Sequence, residues 1–167
     1  MCSTRTYFGE DMKNYIFYAL AFLCTCSFAY AGDTKVVESG SKAWASFECS
    51  TYAAFANKNE DSKELFKVGY QQALVFLDAV ESKKITEQDL HSSAPIGILF
   101  VMSGPSKEFI AGRIYEAANN HASDEIIKND ASGLPINDAS KWNFDKELQT
   151  LIANNKYSKG NCGLLKE

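Results

Sequence analysis

The sequence predicts an all-α fold, a compact bundle of about five helices with one disulfide, preceded by a cleavable signal peptide. Three observations carry this. Apolar residues recur at three- and four-residue steps along several segments. A single stretch, Ile96 to Met102, has the composition of a buried strand, and no second run is there to pair with it. The opening residues have the layout of an export signal, and their removal takes Cys2, Cys24 and Cys26 and leaves Cys49 and Cys162.

Lys13 precedes the apolar run Tyr15 to Phe28, and Ala29-Tyr30-Ala31 ends it with small residues at the two positions that signal peptidase reads. The run is too short for a transmembrane helix, which needs about 20 apolar residues. Cys24 follows Phe22-Leu23 and Cys26 follows Cys24-Thr25, pairs that fit a lipidation site poorly. Glu10 and Asp11 do not suit a basic leader, whereas a start at Met12 places Met-Lys-Asn directly before the apolar run. Met12 is therefore the expected initiator. Residues 1–31 are expected to be the signal peptide, 32–40 a flexible lead-in, and 41–167 a single helical domain. The product is expected to be periplasmic or secreted, cleaved after Ala31, with no stable membrane span.

A helix is predicted from Ser41, because Trp44, Phe47, Thr51, Tyr52 and Phe55 fall on one face. Asp61-Ser62 offers an N-cap for a long helix to Ser82, with Leu65, Phe66, Val68, Gly69, Ala73, Phe76, Leu77 and Val80 as its apolar face. Thr86-Glu87-Gln88-Asp89 has the form of a capping box and predicts a short helix ending before Pro95. Ile96 to Met102 is read as a short central helix, a small sheet remaining the alternative. Ser106 caps a further long helix to Lys128, with Phe109, Ile110, Arg113, Ile114, Ala117 and Ala118 on one side. Gly133 and Pro135 mark a loop, and a last helix is predicted from Trp142 to Asn154 with Phe144, Leu148, Leu151 and Ile152 inward. Gly69 and Gly112, each inside a long helix at a cost of about 1 kcal/mol relative to alanine, are expected to mark where those helices cross.

In an oxidising compartment Cys49 and Cys162 are expected to pair. With no histidine nearby in sequence and no Cys-x-x-Cys spacing, they suit neither a metal site nor a redox pair. The chain carries 17 basic and 21 acidic residues, a net charge of −4, scattered without a basic block. Nucleic acid is therefore not an expected partner.

No catalytic set, metal site or cofactor motif is legible. His91 and His121 are the two histidines, and neither sits in a hydrolase motif. Glu108 and Glu116 lie on one predicted helix, where a solvated acidic face is the plainer reading than paired catalytic carboxylates. Arg113 is placed to pair with Glu116 at i,i+3 or to contact an anion. The expectation is an exported binding or inhibitor-type protein, immunity-like in general form, meeting a protein partner in the cell envelope. The alternative is an exported helical-bundle enzyme or small-ligand carrier with a pocket near His91, Glu108 and His121.

Overall fold

The computed structural model of the protein describes residues 34–130 and 132–166. The expected signal peptide and the start at Met12 lie outside the described residues. Among the described residues six α-helices follow in order: α1 Thr34–Phe55, α2 Asn59–Glu81, α3 Glu87–Ser93, α4 Ile96–Leu99, α5 Lys107–Ile127 and α6 Lys146–Lys159. Short 3-10 turns cover Ala139–Lys141 and Cys162–Lys166. Among the described residues there is no strand, only a single antiparallel bridge between Asn129 and Pro135.

The first helix starts at Thr34 rather than Ser41, so the expected lead-in is largely helical. The reason is tertiary. Ser39 and Gly40 are buried, and a Cβ on Gly40 would stand 2.9 Å from the Phe76 ring of α2. Packing of this kind overrides the weak helix propensity of Ser-Gly-Ser. α1 then touches α2, α3, α5 and α6. Its upper half buries Ala43 and Phe47 with Ala73, Phe76, Ile98 and Ile114. Its lower half buries Cys49, Tyr52 and Ala53 with Leu65, Ile126, Ala153 and Cys162.

Asn57, at φ 59°, ends α1 in the left-handed region that Asn tolerates. α2 then begins at Asn59 without a side-chain cap. Asp61, expected at the cap, instead accepts hydrogen bonds from the Tyr157 hydroxyl at 2.9 Å and Lys166 Nζ at 2.7 Å. Those two donors hold its carboxyl below the usual carboxylate range. The Thr86–Asp89 capping box forms as predicted, with both reciprocal bonds present. Ile96 to Met102 is helical for one turn only, and Ile98 is its single fully buried residue. The Trp44 indole packs against Gly97 there, in the space that a Cβ would take.

The two glycines separate. A Cβ on Gly69 would stand 2.6 Å from Phe47, so this glycine forms the notch that seats α1 against α2. Gly112 is exposed and has nothing within 4 Å, so it marks no crossing. The buried stripe of α5 runs instead through Ala111, Ile114, Ala118, Ala122 and Ile126. The last helix is also displaced. Asp145 caps it, and Trp142 stands outside it, its Nε1–H donating to the Ile136 carbonyl at 3.0 Å. Only Ala153 of α6 is fully buried, and Phe144, Leu148 and Leu151, expected inward, stay exposed.

Cys49 and Cys162 are joined, with Cα atoms 5.5 Å apart and 113 residues between them in sequence. Closing so long a loop stabilises the fold by about 4 to 5 kcal/mol on the chain-entropy account. The Cys49→Ala/Cys162→Ala double variant should therefore lose about 2–5 kcal/mol in urea denaturation. A loss below measurement error would show that the bond does not support the fold. Gly69→Leu should destabilise by at least about 1–3 kcal/mol through overpacking against Phe47. Gly112→Ala should stabilise by about 0.5–1 kcal/mol by restricting the unfolded chain. Equal effects at both positions would contradict the asymmetry described above.

Candidate functional site

Beside the disulfide, α1, α5 and α6 leave a cleft of about 480 Å³. α1 contributes Ala45, Glu48, Cys49 and Tyr52, which share a face because they step by three and four residues. α5 contributes Glu125, and α6 contributes Leu148, Leu151, Ile152 and Lys156. The loop after α5 completes the wall through Asp130, Ser132 and Gly133. That loop is held locally. The Asp130 carboxylate accepts the N–H groups of Ser132 at 2.8 Å and Leu134 at 2.9 Å. Gly133 takes φ 82°, which a side chain rarely adopts. Asn143 donates to the Asn129 carbonyl at 2.8 Å and ties the loop back to the end of α5.

Three carboxylates line the cleft, Glu48, Glu125 and Asp130, and the fold treats the two that sit on helices differently. Glu48 Oε1 accepts the indole N–H of Trp44 at 2.7 Å, and His121 Nδ1 lies 2.7 Å from the same oxygen. Burial pushes the Glu48 carboxyl up, and the bonds to Trp44 and His121 offset only part of the effect. Glu125 accepts the Tyr52 hydroxyl on Oε2 and Lys156 Nζ on Oε1, the latter at 2.7 Å. Burial alone would raise this carboxyl too, but the Lys156 and Tyr52 bonds outweigh it and hold it below the usual range. The Tyr52 phenol is raised by its own burial and by donating to Glu125.

The candidates read from sequence are scattered by comparison. His121 borders this cleft through Glu48, with its side chain mostly exposed. His91 is exposed on α3, 4.0 Å from Glu87. Glu108 is exposed in the first turn of α5. These three therefore do not form the common pocket that the enzyme reading expected. Arg113 donates to the Ser103 carbonyl at 2.5 Å and its hydroxyl at 2.9 Å. This geometry replaces the expected pairing with Glu116, which is exposed. Among the described residues no group of three His, Cys, Asp or Glu is arranged to hold a metal ion.

Glu48, Glu125, Asp130, Lys156 and Lys159 supply the acidic and basic side chains of the cleft and were not singled out from sequence. One signal was present. Trp44, Glu48 and Tyr52 are spaced four apart, which puts an acid between two aromatics on a helix face. The Glu125–Lys156 pair gives no local signal, because it joins two helices. The chain matches no known protein family, no curated protein and no solved structure.

The opposite shifts predict opposite pH behaviour. Glu125, lowered from 4.5, contributes stability that is present above pH 4.5 and is lost as pH falls through its folded value. Glu48, raised from 4.5, favours the fold below pH 4.5 and opposes it as pH rises through its folded value. Urea denaturation against pH should show the advantage of wild type over Glu125→Gln shrinking below 4.5. Against Glu48→Gln, the comparison should turn in the variant's favour above 4.5. Curves that stay parallel to wild type for both variants would remove this ionic account.

Proposed function

We propose that the protein is exported and works as a small binding protein of the inhibitor or immunity type, docking a protein partner over the α1–α5–α6 cleft. One observation carries this reading. Leu148 and Leu151, which a core would be expected to absorb, are 38% and 58% exposed on the rim of the cleft. Apolar side chains grouped around a partly buried polar centre are the arrangement of a protein-binding surface, with its energy concentrated at a desolvated middle. Export is supported by the Lys13–Ala31 leader pattern and by a disulfide suited to an oxidising compartment. No helix among the described residues is long and apolar enough to cross a membrane.

A small-ligand carrier or enzyme is the second reading. It is favoured by the cleft's volume of about 480 Å³, which falls within the usual range for small-molecule sites. Glu48 and Glu125, shifted in opposite directions, would be its acid–base pair.

Site-specific photo-crosslinking in the native envelope separates the two. A photoreactive residue at Leu151 should capture one discrete protein, and the same residue at exposed Gln71 on α2 should capture none. The intact mass of the captured chain should correspond to a start at Gly32. Equal capture at both positions, or none at Leu151, would remove the docking reading.

A further inference from the structure

We infer that the α4 end of the bundle is a lipid-facing surface, which seats the exported domain on a phospholipid bilayer through Ile96, Phe100 and Phe109. This surface shares no residue with the docking cleft, and the export leader is all that the two readings have in common.

Ser92 to Ser106 is the longest run without Asp, Glu, Lys or Arg among the described residues. Within it Ile96 is 71% and Phe100 77% exposed, a step of four that puts both on one side of α4. Phe109, in the first turn of α5, is 51% exposed, and its ring takes the space that a Cβ on Gly104 would occupy. Apolar side chains grouped in this way mark a contact surface. At such exposure they protrude rather than line a groove. The turn beneath them is fixed, because Ile98 is fully buried and the Trp44 indole packs against Gly97. A segment that enters the acyl boundary also needs its backbone groups paired internally. Here the N–H groups of Ile98, Phe100, Val101 and Ser103 donate to the carbonyls of Pro95, Ile96, Ile98 and Val101 at 2.8–3.4 Å. Arg113 donates to the Ser103 carbonyl.

The leader decides the occupant of this face. α1 begins at the same end of the bundle, where Val36 joins the core cluster that holds Ile98. The Ser41 hydroxyl donates to the Ser93 carbonyl, just before α4, at 3.2 Å. Five residues, Ala29 to Asp33, separate Thr34 from the apolar run Tyr15 to Phe28. Five residues reach about 18 Å at most. Export through that run therefore delivers the domain with its α4 end nearest the bilayer. A bilayer takes protruding apolar side chains without a matching pocket, and the gain follows the apolar area covered. Charge does not drive the contact. Lys83, Lys84 and Lys107 at this end are matched by Asp78, Glu81 and Glu87, and Lys107 is ion-paired with Asp78 and Glu81.

The test is flotation of the processed protein, the compact unit from Gly32 to Glu167, with phosphatidylcholine vesicles. Wild type should float equally at low salt and at about 0.5 M NaCl. Ile96→Ser/Phe100→Ser should lower the partition constant at least about tenfold. Leu164→Ser removes a side chain of similar exposure, 69%, from the far turn that Lys166 bonds to the start of α2, and should leave partition unchanged. With a nitroxide-labelled lipid in bicelles, the amide signals of Ile96 to Met102 and Phe109 should broaden and those of α6 should not. That measurement on wild type decides alone if the double variant fails to fold. No flotation, or equal flotation of wild type and the double variant, would overturn the inference. Binding confined to anionic vesicles and abolished by salt would overturn it in favour of charge adsorption. A dimer in sedimentation that the double variant abolishes, without lipid binding, would overturn it in favour of a second copy of the chain. Crosslinking at Leu151 without flotation would remove the lipid surface and leave the docking reading standing, and flotation without crosslinking would do the reverse.

Discussion

The packing of Phe47 into the notch at Gly69 sets the geometry on which the other helices depend. With no Cβ at Gly69, the Phe47 ring lies where a side chain would otherwise stand, and α1 approaches α2 closely along their length. Burying a ring of this size stabilises by about 1.5–3 kcal/mol, a large share of a domain's net stability. The close approach leaves the remaining faces of α1 for α5 and α6. Small residues meet them there: Ala118 and Ala122 on α5, and Ala153 on α6. α1 is thus a central strut with neighbours on several sides, and the cleft is the part of its circumference that α5 and α6 do not close.

That placement explains the electrostatics of the cleft. A helix surrounded by neighbours carries its polar residues into partial burial, where a carboxylate loses water and must find donors. Glu125 meets a lysine from α6 and a phenol from α1 and stays charged readily. Glu48 meets an indole and an imidazole, which solvate it less completely. The two acids differ in burial, which is deeper at Glu48, and in the donors that offset it.

Much of this fold is visible in local patterns. The helix of α2, the Thr86–Asp89 box, the Ser106 cap and the pairing of Cys49 with Cys162 each depend on short-range chemistry or on the cysteine count. The misreadings share a cause in long-range contact. Ser39 and Gly40 look like linker, yet both are buried, Gly40 against the Phe76 ring. Gly112 looks like Gly69 because spacing along a helix does not say which neighbour faces it. Phe144, Leu148 and Leu151 have the composition of a core stripe, yet α6 meets α1 through Ala153 and through Thr150, whose hydroxyl donates to the Phe55 carbonyl at 3.1 Å. The site was hidden for the same reason, since Glu48–His121 and Glu125–Lys156 join residues far apart in the chain.

The cross-link has a consequence for the order of events in the life of the molecule. Cys162 is made 113 residues after Cys49, so the link cannot close until the intervening helices have all been synthesised. Until then the covalent tie between the last turn and α1 is absent. Helices α1 and α2, whose contact is local, can associate early, while the lower core waits for the tail. Oxidation of this pair therefore marks completion: a chain that carries the bond has been made through to its last turn.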